Sequence, residues 1–161
     1  MKVRAIAAID NNQGFANENG IPWELPTEHK YYTDTVYGNL VLMGYGTYLN
    51  HPHKIHEYEE YVLTSNPKPL RDGFVAVNSL VEFINSKKQD IWILGGEKVF
   101  EEALPYLDEL YLTQIHGDFK CTKFFPPFKH LFKLAHEADT LSENGIDFNY
   151  QIWVYSPDIE A

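Results

Sequence analysis

Cysteine is almost absent from this sequence. Cys121 is the only cysteine among 161 residues, so no disulfide can form within the chain. A chain of this size buries roughly two thirds of its unfolded surface, which suffices for one domain without disulfides or a structural metal. We therefore expect a single domain over residues 1–161 in a reducing compartment, with the cytoplasm as the expected location.

Basic residues are scarce relative to acidic ones. The chain has 13 Lys and Arg against 23 Asp and Glu, which gives a formal net charge of −10. This balance disfavours nucleic-acid binding, which needs a basic patch, and adsorption to anionic membranes. It still permits an anionic cofactor, because helix dipoles and a few cations can hold phosphates locally. We therefore expect small-molecule ligands, with no nucleic-acid or membrane partner.

Long apolar runs and a recognisable targeting segment are also missing. No stretch approaches the ~18 apolar residues that a membrane helix needs. The residues from Met1 to Arg4 lead directly into a short strand-like run and do not resemble a secretory signal peptide. The sequence therefore predicts a protein without a membrane span.

Metal ligands with a typical spacing are missing as well. His51, His53 and His56 lie in a polar, proline-interrupted loop, whereas a zinc site would need clearer ligand spacing and a dry setting. No metal is therefore expected. A solvated face, rather than an acid–base pair, is predicted for the neighbouring Glu57, Glu59 and Glu60.

Short apolar segments alternate with helical segments along most of the chain. Strands are predicted at 3–9, 40–43, 60–64, 74–77, 91–94 and 110–115, and helices at 27–38, 44–49, 80–86 and 97–104. This alternation indicates an α/β fold, a mainly parallel central sheet with helices on both faces. The segments 132–137 and 148–155 lack a helix between them and predict an antiparallel C-terminal hairpin at one sheet edge.

Gly95-Gly96 follows a predicted buried strand and opens a helix. Glycines at such a position let backbone N–H groups approach a phosphate on the positive end of the helix dipole. The same pair also suits a tight strand-to-helix turn that binds nothing. The dinucleotide pattern GxGxxG is absent, because Val99 and Phe100 occupy its later positions.

The segment 21–28, IPWELPTE, is the second candidate site. Thr27 is the predicted N-cap of the helix, Glu28 falls in its first turn, and Tyr32 lies one turn further on the same face. A carboxylate in an apolar pocket can form paired hydrogen bonds with an amidine-like edge of a heterocycle. Alternatively, Glu28 is an ordinary first-turn acid on a solvated helix.

Taken together and in order, these motifs resemble the dihydrofolate reductase family. The resemblance runs from the first strand to the final predicted hairpin. It is carried by Ala7-Ala8, Gly14-Phe15, Pro22-Trp23-x-Leu25-Pro26-x-Glu28, Leu42-Met43-Gly44-x-x-Thr47, Leu63-Thr64-Ser65, Ile93-Leu94-Gly95-Gly96-x-x-Val99-Phe100, Leu110-Tyr111-Leu112-Thr113 and Phe124-Phe125-Pro126.

The resemblance implies reduction of 7,8-dihydrofolate to 5,6,7,8-tetrahydrofolate with NADPH as cofactor. Hydride would pass from the nicotinamide C4 to C6 of the pterin, a proton would reach N5, and no metal would take part. The segment 10–22 would be a mobile loop over the nicotinamide, and the Gly95–Gly96 peptide would be cis. A monomer is expected.

The resemblance also implies a role for individual residues. Catalytic roles fall to Glu28, Trp23 and Thr113. Substrate binding falls to Ile6, Glu28, Tyr32, Leu94, Phe100 and Thr113. Cofactor binding falls to Ala8, Phe15, Gly44, Thr47, Thr64, Ser65, Gly95, Gly96, Lys98 and Val99. Within these sets, Thr113 would hydrogen-bond Glu28, and Thr64 and Ser65 would lie near the 2′-phosphate.

Three features depart from the family's pattern. Tyr45 stands where the family usually carries a cation near the 2′-phosphate, and Tyr58 stands where it carries the arginine that binds the folate α-carboxylate. The segment 50–60 also lacks the usual Arg-Pro-Leu pattern. We therefore expect a weaker preference for NADPH over NADH and weaker binding of the glutamate tail.

Two other functions are compatible with parts of the pattern. One is a reductase of the same fold that acts on a pyrimidine of riboflavin synthesis or on another pteridine. The other is a non-catalytic relative that keeps the nucleotide pocket, which the changes at Tyr45 and Tyr58 favour. The Pro22-Trp23 to Glu28 motif and Thr113 favour the folate enzyme.

Overall fold

The chain alternates strands and helices up to residue 116 and continues in strands thereafter. The computed structural model describes residues 1–51, 54–55, 58–66 and 68–157. Its strands are β1 (Val3–Ile9), β2 (Gly14–Ala16), β3 (Leu40–Gly44), β4 (Glu60–Leu63), β5 (Phe74–Val77), β6 (Ile91–Ile93), β7 (Glu109–His116), β8 (Lys123–Phe124), β9 (Phe132–Glu137), β10 (Leu141–Glu143) and β11 (Ile146–Tyr155). Its helices are α1 (Pro26–Val36), α2 (Tyr45–Leu49), α3 (Leu80–Ser86) and α4 (Glu97–Ala103), with a 3-10 turn at Leu104–Tyr106.

One large sheet, of nine strands in the described part of the chain, runs through the molecule. Its order is β10-β11-β7-β1-β6-β3-β4-β5, and β9 also pairs with β11. The strands from β7 to β5 in this order run parallel to one another, whereas β11 is antiparallel to β7, β9 and β10. The predicted α/β fold, with a mainly parallel sheet and antiparallel C-terminal strands, is therefore confirmed.

One detail of the predicted strands is wrong and another is incomplete. The expected loop at 10–22 is not wholly a loop, because it contains β2, which pairs with β8 in a separate two-stranded sheet. The predicted C-terminal hairpin is confirmed, because β9 and β11 pair antiparallel and β11 joins β7 over eight residue pairs, but the short strand β10 lies between β9 and β11 in sequence and also pairs with β11. Strands of two or three residues are too short to show an alternating pattern.

Helices cover both faces of the sheet, as predicted. Successive side chains of β3 lie on opposite faces of the sheet. Leu42 therefore belongs to one hydrophobic cluster and Val41 to the other. Phe83 of α3 and Phe100 of α4 belong to the first cluster. Val36 of α1 and Tyr48 of α2 belong to the second. Among the described helices, none has the length and apolar character needed to cross a bilayer.

The solvated acidic face predicted at 57–60 is wrong for one of its members. Glu60 is fully buried, and its carboxylate accepts a hydrogen bond from the N–H of Ile55 at 2.7 Å. Its other oxygen lies 3.4 Å from Nε2 of His51. Glu59 is exposed. The remaining predictions in this segment, for His53, His56 and Glu57, lie outside the described residues.

The beginning of α1 differs from the sequence prediction. The N-cap residue is Leu25 rather than Thr27, and it makes no side-chain cap. Instead, Glu143 of β10 accepts hydrogen bonds from the N–H of Thr27 at 3.0 Å and from its hydroxyl at 2.6 Å. A carboxylate from another strand thus satisfies a free N–H in the first turn, where the helix dipole favours negative charge. This contact fixes α1 against the C-terminal strands.

We expect Glu143→Ala to lower the free energy of unfolding by about 1 kcal/mol, because it removes the only acceptor recorded for the N–H of Thr27 in the described residues. Urea denaturation followed by circular dichroism measures this change. Glu18→Ala removes an exposed carboxylate and serves as the control. Equal losses in the two variants would contradict the capping role of Glu143.

Candidate active site

The first turn of α1 meets the sheet where β1, β7 and β11 are adjacent. Ala8 of β1 pairs with Thr113 of β7, and Thr113 pairs with Tyr150 of β11, so these residues form one row across the sheet. Glu28 of α1 reaches this row, where the hydroxyl of Thr113 donates a hydrogen bond to Glu28 Oε1 at 3.2 Å. The contact that the resemblance implied between Glu28 and Thr113 is present.

The carboxyl group of Glu28 has an unusual protonation equilibrium. Its side chain is half-buried, and the loss of water around the carboxylate raises its pKa from an ordinary 4.5 to about 7. The hydrogen bond from Thr113 favours the charged form and opposes part of this rise in pKa. Glu28 can therefore hold or release a proton near neutral pH, which an acid on a solvated helix would not do.

Tyr31, Tyr32 and Tyr150 lie within electrostatic reach of Glu28, and two hydrophobic clusters include residues that flank it in the chain. Ile6 and Leu94 are buried in one cluster, and Tyr32 packs against it. Burial raises the pKa of the Tyr32 hydroxyl, and the nearby Glu28 carboxylate raises it further. Trp23 is buried in a neighbouring cluster, and its ring meets that of Phe119 edge-on at 5.3 Å. One wall of the expected substrate pocket therefore consists of Ile6, Tyr32 and Leu94, and Trp23 belongs to a second wall.

Phe100 lies apart from the other residues expected to bind the substrate. It is buried in the cluster on the opposite face of the sheet, with its ring 5.5 Å from that of Phe15 in an edge-on contact. A side chain added to Gly95 would meet the Phe100 ring at 3.0 Å. Phe100 therefore packs against Phe15 and beside Gly95, two residues that are expected to contact the cofactor.

Asp10 is a residue that the sequence reasoning did not select. Its buried carboxylate accepts hydrogen bonds from three backbone N–H groups, those of Asn12 at 2.9 Å, Gly14 at 2.9 Å and Phe119 at 3.1 Å. These bonds tie the loop after β1 to the segment after β7. The turn pattern Asp-Asn-Asn-x-Gly was the available signal, because Asp side chains often bond to backbone two residues on.

A second group of expected residues meets at the beginning of α4. The Gly95–Gly96 peptide is cis, and Gly95 has a φ of +117° that side chains disfavour. Gly44 donates its N–H to the carbonyl of Gly95, and a side chain at Gly44 would come within 2.8 Å of Val99. The hydroxyl of Thr47 lies 3.4 Å from the position that a Gly96 Cβ would take.

This arrangement fits a diphosphate group. Gly96 occupies the N-cap position of α4 and supplies no side-chain cap, so N–H groups of the first turn keep their bonding capacity for a ligand. The Thr47 hydroxyl adds a donor beside them. In the described part of the chain, no three His, Cys, Asp or Glu side chains are grouped to hold a metal ion.

Thr64 and Ser65 lie beyond the end of β4, where they line a cleft of about 670 Å³. Asn78, Ser79 and Lys87 line the same cleft, and the Lys87 ammonium lies 4.8 Å from the centre of the Tyr61 ring. Lys98 is exposed on α4 and does not line this cleft. The structure thus places Thr64 and Ser65 in a polar cleft, while Lys98 stands apart from it.

The protonation of Glu28 should make stability depend on pH. The pKa of Glu28 is about 7 in the folded protein and 4.5 ordinarily. The free energy of unfolding therefore falls as pH rises from 4.5 to 7, because the unfolded chain releases this proton first. The loss is on the order of 1–3 kcal/mol after solvent screening. We expect Glu28→Gln to gain stability relative to the wild type between pH 4.5 and pH 8. Urea denaturation at several pH values measures this, with exposed Glu102→Gln as the control. Parallel curves for wild type and Glu28→Gln would contradict the raised pKa.

The comparisons with known proteins agree with this geometry. The family model described as dihydrofolate reductase matches residues 2–156. A dihydrofolate reductase of Bacillus subtilis strain 168 is 27% identical over 153 residues, covering 93% of this chain and 91% of its own length. Its counterpart in Buchnera aphidicola is 30% identical over 131 residues, covering 80% and 81%. A dihydrofolate reductase structure from Enterococcus faecalis, complexed with NADP(H) and RAB-propyl, superimposes with a TM-score of 0.85 at 25% identity, covering 96% of each chain. On its sequence and its fold, the chain belongs to the dihydrofolate reductase family.

Proposed function

We propose that this chain reduces 7,8-dihydrofolate to 5,6,7,8-tetrahydrofolate with NADPH. The observation that carries this proposal is the half-buried Glu28 carboxylate, which Thr113 holds at 3.2 Å beside the row of β1 and β7 residues. The family match over residues 2–156 supports the same activity. In a cell we expect the chain to work as a cytoplasmic monomer, and its net charge of −10 disfavours a nucleic-acid partner.

Glu28 anchors the pterin in this proposal. Its two oxygens can accept paired hydrogen bonds from the 2-amino group and N3 of the pterin, a geometry that gives both strength and orientation. Ile6, Tyr32 and Leu94 provide the apolar wall against which the ring lies. Thr113 fixes the direction of the carboxylate, and Trp23 closes the pocket from the neighbouring cluster.

Glu28 also favours protonation of the pterin. Its pKa of about 7 means that the carboxylate and a bound pterin can share one proton at neutral pH. The negative charge of Glu28 then stabilises a pterin that is cationic at N5. When bound, NADPH supplies the hydride that passes to C6. The main contribution of the protein is to hold the two rings face to face at reacting distance.

The residues around α4 and β4 hold the cofactor in this proposal. Gly44, Thr47, Gly95, Gly96, Lys98 and Val99 face the diphosphate, and Thr64 and Ser65 lie near the 2′-phosphate. Ala8 and Phe15 flank the nicotinamide with backbone groups. Asp10 supports this last contact, because it hydrogen-bonds the N–H of Gly14 beside Phe15.

The two tyrosines that depart from the family's pattern have different surroundings. Tyr45 packs beside Tyr48, with ring centres 5.6 Å apart, and offers no cation to a phosphate. Tyr58 is exposed over 65% of its surface. Weak binding of the glutamate tail therefore stays a prediction of this proposal, as does a modest preference for NADPH.

The assay that tests the proposed function follows NADPH oxidation by absorbance with dihydrofolate as substrate. We expect the wild type to turn over and Glu28→Gln to be slower by about a hundredfold or more at neutral pH, because the charge that favours N5 protonation is lost. Glu24→Gln changes an exposed acid just before the helix and should leave the rate unchanged. A wild type that is inactive on dihydrofolate but active on a pteridine or pyrimidine would support the related reductase instead.

Cofactor preference provides a second test. A charge-assisted bond to a phosphate contributes roughly 1.5–3 kcal/mol, so Tyr45→Arg should raise the NADPH-over-NADH ratio of kcat/KM by about 10- to 150-fold. The dissociation constants of the two cofactors, measured by fluorescence, should change in the same direction. Tyr58→Arg adds the same charge at an exposed tyrosine and should leave the ratio unchanged. A wild type with a very strong NADPH preference that survives removal of both hydroxyls in Thr64→Val and Ser65→Ala would contradict our placement of the 2′-phosphate site.

A further inference from the structure

A stacked pair of tyrosines joins α1 to β11 beside Glu28. The rings of Tyr31 and Tyr150 are 3.9 Å apart at their centres and inclined by only 23°. Tyr31 follows Glu28 by three residues, so the two lie on the same side of α1. Tyr150 pairs directly with Thr113 in the ladder between β11 and β7. The stack therefore connects the same elements as the hydrogen bond between Thr113 and Glu28.

The stack lies within electrostatic reach of the carboxylate. Burial raises the pKa of the Tyr31 hydroxyl to about 12, and the neighbouring Tyr111, Tyr150 and Glu28 contribute to this rise. Burial also raises the pKa of Tyr150, again with a contribution from Glu28. Both phenol groups therefore lie close to Glu28, on the side of the pocket that faces β11.

We propose that the Tyr31–Tyr150 stack is a cover that keeps water away from Glu28, so that both tyrosines act as positioning residues for the reaction. This inference rests on the proposed role of Glu28 as the pterin anchor. The rings themselves exclude the water, and the hydroxyl groups are dispensable for this effect.

The physical reason is that two opposing influences set the pKa of Glu28. Loss of water is the larger influence on its pKa, and the hydrogen bond from Thr113 opposes it. In the described part of the chain, the titratable groups that face this region are Tyr31 and Tyr32 on α1, Tyr111 on β7, Tyr150 on β11 and Glu143 on β10. The exposed ring of His29 stacks on Tyr32 with ring centres 6.2 Å apart. The influences on the pKa of Glu28 are burial and the hydrogen bond from Thr113, so water is the main agent that could stabilise the charged carboxylate if the cover were opened.

Removing one ring should therefore lower the pKa of Glu28. The reaction consumes a proton, so its rate falls as pH rises above the midpoint at which the shared proton is lost. In Tyr150→Ala we expect this midpoint to move down by about one pH unit, which lowers the rate roughly tenfold at a pH above both midpoints. Tyr31→Phe and Tyr150→Phe keep their rings and should keep the midpoint of the wild type.

Two measurements follow the midpoint. The first is the pH profile of the single-turnover rate of NADPH oxidation with dihydrofolate. The second is a direct titration of the Glu28 carboxyl by infrared difference spectroscopy in the ligand-free protein, with Glu28→Gln used to identify the band. Tyr155→Ala is the matched control, because Tyr155 is also on β11 and meets Phe132 edge-on at 5.7 Å. It should leave both midpoints unchanged.

The outcomes separate the cover from other roles. An unchanged carboxyl midpoint in a folded Tyr150→Ala protein would overturn the proposal. So would phenylalanine variants that shift the midpoint as much as alanine does, because the hydroxyls would then be responsible. If Tyr150→Ala does not fold, Tyr31→Ala opens the stack from the helix side and is read in the same way. A wild type that fails to reduce dihydrofolate would refute the proposed function, whereas the ligand-free titration would still test the cover.

Discussion

The site depends on one carboxylate held in apolar surroundings by a neutral hydroxyl. Burial removes water that would hydrate the charged Glu28 carboxylate. Among the described contacts, the hydrogen bond from Thr113 at 3.2 Å is the one that replaces it. A cation in place of Thr113 would hold the carboxylate permanently charged, whereas no donor at all would favour the protonated form. A neutral donor leaves the proton free to move between protein and ligand near pH 7.

Holding that carboxylate requires contacts from distant parts of the chain. Glu143 on β10 secures the first turn of α1 through Thr27, and Asn144 donates to the carbonyl of Glu24 just before the helix. Tyr150 on β11 packs on the same helix one turn later. The antiparallel C-terminal strands therefore do more than extend the sheet, because they position the helix that carries Glu28.

The sequence predicted those parts of the structure in which local pattern and tertiary contacts agree. The buried strand Val3–Ile9 and helix Leu80–Ser86 have the predicted bounds, because their apolar pattern alone determines which face is buried. Thr27 was wrongly assigned as an N-cap because its partner, Glu143, is 116 residues away. Glu60 was wrongly expected in solvent for a similar reason, because its contacts with Ile55 and His51 depend on how the loop folds back. Asp10 was overlooked because a turn-forming acid does not reveal that it also bonds Phe119.

The central position of β1 has a consequence for how the protein is made. The first strand pairs only with strands from the second half of the chain within the described residues, as in Val3 with Ile91 and Arg4 with Glu109. The side-chain contacts of β1 are equally distant in sequence, because Arg4 donates a hydrogen bond to Glu109, which is 105 residues away. Such long-range pairing is entropically slow to form, and a ribosome must release most of the chain before the middle of the sheet can assemble. The N-terminal segment therefore waits unpaired during synthesis, exposed to chaperones and proteases, until the strands that flank it emerge.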